Sequence, residues 1–183
     1  LELIEVEEDL EVAGLNNLID WINEKKSLTS PALKEELKKR GIATPKGVLL
    51  TGVPGCGKSL CSKVIAQKLN VSLYRLDLAT VQGEYVGQSE RQLKEALETA
   101  EYVSPCVLWI DEIEKGLKET SNSGTTSKMI GQFLFWLQEC KKEVFVVASA
   151  NSVEDLPPEL IRKGRFDEIF FVDLPNETER KQL

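Results

Sequence analysis

An α/β fold, a three-layer sandwich on a five-stranded parallel sheet, is what this chain predicts, and three observations carry that expectation. Short apolar runs of strand length alternate with longer segments of helical spacing. The apolar runs are nearly continuous, as they must be in strands buried on both faces. The first of them, Lys46-Gly47-Val48-Leu49-Leu50-Thr51, leads into Gly52-Val53-Pro54-Gly55-Cys56-Gly57-Lys58-Ser59, which fits G-x-x-x-x-G-K-[ST] and is followed at once by a helical segment.

The elements follow in order. Leu1 to Asp9 is acidic with scattered apolar residues and reads as a short extended arm. Asp9 to Leu15 leads into a helix whose buried face is Leu15, Leu18, Ile19 and Ile22. Ser30-Pro31 opens a second helix with a capping serine and proline at the first helical position. Leu33 and Leu37 form its thin apolar stripe, Lys38-Lys39-Arg40 its solvated C-terminal end, and Gly41 its stop. After the first strand come a helix from Leu60 to Leu69 and a second strand, Val71 to Leu76. A helix from Ser89 to about Val103 precedes Pro105 and the third strand, Cys106 to Ile110. A short helical piece covers Glu112 to Leu117, and the Ser-, Thr- and Gly-rich stretch from Lys118 to Ser127 reads as a mobile loop. The next helix, about Ser127 to Cys140, is apolar nearly all round and is expected to be well buried. Val144 to Ser149 is the fourth strand and Ile169 to Val172 the fifth.

A chain of 183 residues suits one domain with a real core. Hydrophobic residues make up 42% and charged residues 29%, the balance of a soluble globular domain. The net charge of -7 argues against broad binding to nucleic acid or an anionic membrane surface. No apolar run reaches membrane-span length, and no signal-peptide pattern is visible, so a cytoplasmic setting, or the stroma for a plastid protein, is expected. The four cysteines, Cys56, Cys61, Cys106 and Cys140, form no C-x-x-C pair and read as reduced thiols. Cys56 stands near a helix N-terminus, a place that favours a thiolate, although a passive loop residue is the simpler reading. There is no histidine, which removes histidine triads and histidine metal sites.

The glycine-rich loop has the chemistry of a phosphate cradle. Its glycines turn the backbone tightly and aim N–H groups inward, and the helix that follows adds partial positive charge. Lys58 reaches β- and γ-phosphates in such loops, and Ser59 ligates Mg²⁺. The third strand ends in Asp111-Glu112. Ligands of open α/β sheets bind at the carboxyl ends of strands, so this pair is expected to face the loop. Asp111 is then expected to hold Mg²⁺ through water, as the acidic residue at such a strand end does in phosphate-loop enzymes, and Glu112 to serve as general base. An acidic strand end that merely caps the next helix is the plain alternative, and the upstream loop weighs against it.

With these residues in place the chain resembles an AAA ATPase of the AAA+ superfamily over nearly all of its length. It is most similar to the poorly characterised AAA proteins of cyanobacteria and plastid genomes. Ser104 to Glu112 and Arg162-Lys163-Gly164-Arg165-Phe166-Asp167-Glu168-Ile169-Phe170-Phe171 carry that closer likeness. The resemblance implies strand order 5-1-4-3-2 and ATP/ADP with Mg²⁺ as cofactors. It implies nucleotide contacts from Gly52, Pro54, Gly55, Cys56, Gly57, Lys58, Ser59 and Leu60, with Ala13 and Gly14 lining the adenine pocket. It implies that Asn151 orients the lytic water, and that Arg162 and Arg165 are arginine fingers reaching a neighbouring subunit's ATP in a homo-oligomeric ring, expected to be a hexamer. Glu84-Tyr85-Val86-Gly87 resembles the pore loop of protein-threading relatives, with Tyr85-Val86 gripping a protein substrate.

Residues 1–46 are then an N-terminal helical segment with the adenine-pocket loop, 47–175 the nucleotide-binding core, and 176–183 the start of a helical lid through which family rings pack. Three features depart from the family pattern: Glu84 stands where many relatives carry Lys, Asn151-Ser152-Val153 replaces Asn-Arg-Pro, and the chain stops at Leu183 before the lid. The leading functional expectation is an ATP-driven motor that remodels or threads protein. The alternatives are an AAA+ enzyme acting on nucleic acid and a nucleotide-gated scaffold with little turnover.

Overall fold

The computed structural model describes residues 1–7, 10, 15–28, 36–37, 39–41, 44–78, 80, 88–117, 123–162, 164–174 and 177. Its elements are β1 (Glu2–Ile4), α1 (Asn16–Leu28), β2 (Gly47–Thr51), α2 (Lys58–Leu69), β3 (Ser72–Asp77), α3 (Gln88–Tyr102), β4 (Cys106–Asp111), α4 (Ile113–Leu117), α5 (Ser123–Glu139), β5 (Val144–Ala150), α6 (Pro158–Ile161) and β6 (Glu168–Phe171). The sheet runs β1-β3-β4-β5-β2-β6. The five strands from β2 to β6 are parallel and lie in the expected order, with β2 between β5 and β6.

The sheet has six strands rather than five. The extended arm at the N-terminus is a strand, pairing antiparallel with β3 through Glu2 with Arg75, Leu3 with Tyr74 and Ile4 with Leu73. An uncovered edge strand is a template for unwanted pairing, and β1 occupies that edge of β3. Half-exposed and three residues long, it has too little apolar alternation to be read as a strand.

Two apolar layers flank the sheet. Val48, Leu50, Leu73, Val107, Trp109 and Val147 point to the side covered by α1 and α2, where Leu18, Ile22, Cys61 and Ile65 meet them. Leu49, Leu76, Leu108, Ile110, Val146 and Ala148 point to the other side, against Leu93 and Leu97 of α3 and Met129, Phe133 and Leu137 of α5. Burial on both faces is why these strands read as unbroken apolar runs, and it fixes their register, because a one-residue slip would exchange the two layers. Leu18 and Ile22 are buried as expected, with Leu15 and Ile19 partly so. Trp21, beside them, packs edge-on to Phe170 with ring centroids 5.8 Å apart.

Two expectations about α5 are corrected. The helix begins at Ser123 rather than Ser127, so the polar stretch expected to be a loop is helical from 123 onward. Ser, Thr and Gly are weak helix formers, but a buried face on Met129, Phe133 and Leu137 propagates the helix toward its start. The helix is also not buried all round, since Phe135 is 67% exposed. The short helix α6 was not expected from the sequence. Of the second N-terminal helix, the described part shows Arg40 N–H closing on Glu36 O and Gly41 at φ 69°, the left-handed stop anticipated there.

The short helix α4 is seated by Gly116. A Cβ built on Gly116 would lie 2.1 Å from the Leu78 Cβ, so only glycine lets α4 rest on the end of β3. Gly116→Ala is expected to cost about 1–3 kcal/mol by overpacking. Gly131, in the exposed stripe of α5, has nothing within 4 Å of its ideal Cβ, and Gly131→Ala should instead stabilise by about 0.5–1 kcal/mol. Denaturant unfolding of the two variants, read at unchanged m-value, checks the pair of opposite signs.

Candidate functional site

The sheet order brings three segments to one edge. β5 lies between β4 and β2. The residue that follows β5, Asn151, therefore falls between the loop after β2 and the carboxylates after β4.

The loop after β2 leaves the sheet at Gly52, whose missing side chain is required by packing: a Cβ there would lie 2.1 Å from the Val172 carbonyl oxygen. Cys56 N–H closes the turn on Val53 O at 3.3 Å, and Gly57, at φ 95°, caps α2. Val53, Pro54 and Gly55 are exposed, Cys56 and Lys58 buried, Ser59 exposed and Leu60 half-buried at the first turn of α2. Lys58 is only 7% exposed. Its ammonium is held by acceptors alone, donating to Gly52 O at 2.6 Å, Val53 O at 3.0 Å and Asn151 Oδ1 at 3.0 Å.

The other end of the Asn151 amide meets carboxylates. Nδ2 donates to Glu112 Oε1 at 3.2 Å and to Glu114 Oε1 at 2.9 Å, and the Asn151 backbone N–H donates to Glu114 Oε1 at 3.1 Å. The phosphate-loop lysine, Asn151 and Glu112 thus form one continuous hydrogen-bonded chain. Glu112 sits at φ 47°, a left-handed conformation uncommon outside glycine and concentrated at functional sites. Its backbone N–H donates to Ser149 Oγ at 3.2 Å, and that hydroxyl donates to Asp111 Oδ1 at 2.7 Å. One serine of β5 therefore orients both members of the acidic pair. Arg75 Nη2 reaches Asp111 Oδ2 at 3.3 Å, and its guanidinium lies 5.2 Å from the centre of the Trp109 ring.

Lys115 forms an ion pair with Glu112 Oε2 at 2.6 Å. That hydrogen bond is the largest cause holding the Glu112 carboxyl below the ordinary carboxylate value, assisted by Asn151 and by the positive charge of Lys58. The same contact raises the Lys115 ammonium. Elsewhere, burial pushes the Cys61 thiol up to about 12 and the Cys106 thiol to about 11, so these two are poor nucleophiles. All four cysteines are free thiols.

Sequence reading found Lys58, Ser59, Asp111, Glu112 and Asn151, and the structure brings Lys58, Asp111, Glu112 and Asn151 together, with Ser59 one residue beyond Lys58. It missed Arg75, Glu114, Lys115 and Ser149. Ser149 had a signal, as the polar residue ending the apolar run Val144 to Ala148. Lys115 had the i,i+3 spacing to Glu112. Ala13 and Gly14, expected to line the adenine pocket, and Glu84, Tyr85 and Val86, expected to form a pore loop, lie outside the described residues.

Arg162 is exposed at the end of α6, and Arg165 is partly buried with its Nη1 lacking a hydrogen-bond partner. Two residues on, Asp167 Oδ2 accepts the backbone N–H groups of Lys46, at 2.5 Å, and Gly47, at 2.7 Å, at the start of β2. Asp167, two residues after Arg165, is therefore tied to the amino edge of the sheet. The phosphate loop stands at the opposite edge, five residues of β2 away, or about 16 Å at strand rise.

The site fits a nucleotide with magnesium. The backbone over Gly55 and Gly57 is open, with nothing within 4 Å of an ideal Cβ. A buried ammonium surrounded only by acceptors is poised to exchange a carbonyl for a phosphate oxygen. Among the described residues no group of three or more His, Cys, Asp or Glu side chains could cage a metal ion. Mg²⁺ keeps several waters and binds through one or two side chains and phosphate oxygens. Ser59 and Asp111 would be those side chains. Among the described residues no helix is long and apolar enough to cross a membrane.

Residues 48–174 match the family model described as ATPase family associated with various cellular activities (AAA). The chain is 47% identical over 175 residues to a protein of Gracilaria tenuistipitata var. liui named as an uncharacterized AAA domain-containing protein, ycf46, covering 94% of this chain and 35% of that one. It is 36% identical over 191 residues to the proteasome-activating nucleotidase of Methanothermobacter thermautotrophicus, covering 98% and 47%. It is 32% identical over 162 residues to the ribosome biogenesis ATPase RIX7 of Saccharomyces cerevisiae, covering 86% and 19%. The chain spans about a third of the length of its ycf46 relatives.

Replacing Lys115 tests the electrostatics directly. The Glu112 carboxyl is depressed in the folded state. The stabilisation it brings is therefore complete above the unfolded value, about 4.3, and is lost as pH falls through the lowered folded value. Lys115→Met should move the Glu112 titration midpoint upward, read by carboxyl NMR. It should also cost stability at pH 6 that disappears in strong acid. The stability effect should be small, since the pair is solvent-accessible.

Proposed function

The chain belongs to the AAA family of ATPases, and from that premise we propose that it binds ATP with Mg²⁺, hydrolyses it to ADP and phosphate, and spends the energy on a protein substrate within a homo-oligomeric ring, a hexamer by analogy with its family. The observation that carries the hydrolytic reading is the hydrogen-bonded chain Lys58–Asn151–Glu112, because it joins the lysine of the phosphate loop to a carboxylate through an amide able to orient a water.

Each residue then has a task. The loop from Gly52 to Leu60 wraps the phosphates with backbone N–H groups, and Lys58 turns from its carbonyl acceptors to a phosphate oxygen. Ser59 and Asp111 hold Mg²⁺, which neutralises phosphate charge when bound. Glu112 accepts the proton of the attacking water at its carboxylate, and Asn151 Nδ2 fixes that water's position. Ala13 and Gly14 line the adenine pocket in this reading.

Arg162 and Arg165 act on the ATP of a neighbouring subunit. Their support is positional: Arg165 lies two residues before Asp167, whose carboxylate is held at the amino end of β2, whereas the phosphate loop leaves the carboxyl end of that strand. Protein rather than nucleic acid is the favoured substrate. The net charge of -7 opposes phosphate-backbone binding, and Tyr85-Val86 offers an aromatic grip on an unfolded chain. A relative named as a proteasome-activating nucleotidase points the same way. The soluble compartment, cytoplasm or plastid stroma, belongs to the same proposal.

Two experiments test it. Glu112→Gln should bind Mg-ATP like the parent and hydrolyse it about 10²- to 10⁴-fold more slowly, whereas Lys58→Ala should lose the Mg-ATP-induced rise in melting temperature. Near-parental turnover by Glu112→Gln removes it as the base. For the arginines, mixing Lys58→Ala protein with Arg165→Ala protein should restore part of the activity that each lacks alone. Mixed assemblies place a sound arginine beside a sound ATP site, and a trans-acting finger contributes about 10³- to 10⁵-fold. Proven co-assembly without recovery sinks the trans assignment.

A further inference from the structure

We propose that Glu114 is the positioning residue for Asn151: its buried carboxylate decides which way round the amide sits, and so which atom faces the base and which faces the phosphate-loop lysine. The inference rests on the hydrolytic reading above and adds a residue that the phosphate-loop and acidic-pair motifs do not contain.

Glu114 lies in the first turn of α4 and is only 3% exposed. A carboxylate is costly to bury unless it is bonded. Glu114 Oε1 takes two hydrogen bonds from a single residue, the backbone N–H and the Nδ2 of Asn151, at 3.1 and 2.9 Å. Its Oε2 is buried with no hydrogen-bond partner. A group that served only the fold would be poorly chosen here, because half of its acceptor capacity is desolvated and unmet. What the carboxylate does supply is a fixed negative charge at one end of the amide.

An asparagine amide turned through 180° fills nearly the same space, so shape alone does not orient it. Charge does. With Nδ2 toward Glu114 and Glu112 and Oδ1 toward the Lys58 ammonium, every contact joins donor to acceptor. Reversed, the carbonyl oxygen would face two carboxylates, and the NH₂ group would face an ammonium. Glu112 alone is a weaker guide: its contact is longer, 3.2 Å, and its side chain is 37% exposed and shared with Lys115. When Lys58 turns to a phosphate, the acceptor end of the amide loses its partner. Glu114 then remains as the buried contact that keeps Nδ2 aimed past Glu112. The backbone bond adds a second grip, pinning the chain where it leaves β5.

The test uses the intact protein. Glu114→Met removes both acceptor oxygens at nearly constant length. The expected result is a kcat lower by about 10- to 100-fold, the cost of losing an orienting partner behind a working residue, with Mg-ADP affinity within about twofold of the parent. Glu114→Gln keeps an acceptor oxygen and should fall between Met and the parent. In an Asn151→Ala background, Glu114→Met should lower kcat by no more than about twofold further, since the two residues act as one unit. A readout independent of turnover is the Asn151 side-chain amide in nucleotide-free protein. Its Nδ2 protons should exchange slowly in the parent and lose that protection in Glu114→Met. A parental kcat in Glu114→Met, losses that multiply with Asn151→Ala, or retained amide protection would each overturn the proposal. So would joint loss of Mg-ADP binding and cooperative unfolding, which would make Glu114 a fold determinant. If the parent itself shows no turnover, the hydrolytic reading fails alone, and amide protection decides whether Glu114 positions Asn151.

Discussion

A single amide, that of Asn151, is the contact on which this site depends. An amide is a donor at one end and an acceptor at the other, so it can stand between a cation and carboxylates and satisfy both. Asn151 does so with Lys58 on its oxygen and Glu112 and Glu114 on its nitrogen. The surrounding charges balance: Lys58, Arg75 and Lys115 against Asp111, Glu112 and Glu114. Each cation also has a distinct neighbour to hold it, whether loop carbonyls, the Trp109 ring and Asp111, or Glu112. Polyphosphate charge would shift that balance first at Lys58, the cation that belongs to the open loop. Any rearrangement there passes to Glu112 through one side chain.

That side chain is placed by topology. The strands do not lie in chain order: β5 is inserted between β4 and β2, as the expected order has it. The two apolar layers fix this arrangement, since each strand presents alternate side chains to opposite layers and a slip would place Leu49 in the layer of Leu50. The functional edge is thus a by-product of core packing: burying the strands in this order and register brings the ends of β2, β4 and β5 side by side. Ser149 carries the same logic two residues earlier, with a hydroxyl reaching sideways to Asp111 and to the Glu112 backbone.

Much of this was legible in the chain because it is written in short local patterns. The phosphate loop, the Asp111-Glu112 pair and the runs of buried-strand residues depend on neighbours within about ten positions, and the structure places them as expected. The parts that were not legible depend on tertiary contact. β1 is three residues with little periodicity, and it becomes a strand because β3 has a free edge. The start of α5 is helical against its local composition because Met129, Phe133 and Leu137 are held by the sheet. Glu114 looked like one acid among many in an acidic chain. What sets it apart is its contact with Asn151 at the end of β5, a relation between positions 37 residues apart.

The two outer edges of the sheet differ in a way that bears on assembly. On one side β1 covers β3. On the other, β6 is the outermost strand of the sheet, with Ile169 40% and Phe171 69% exposed and Leu174 beyond them 57% exposed. An exposed apolar edge is a liability that folded proteins cover, blunt or use. The same side carries Arg165, a guanidinium with a buried, unpartnered Nη1, two residues before Asp167, which is held at the start of β2. Among the described residues, then, a guanidinium with one unmet donor stands one loop away from an uncovered apolar strand. Both deficits are met together if this side faces another subunit, with the apolar strand buried at the contact and the arginine turned toward an anionic ligand across it. The proposed ring thus answers a packing problem and a charge problem that lie within one loop and one strand of each other.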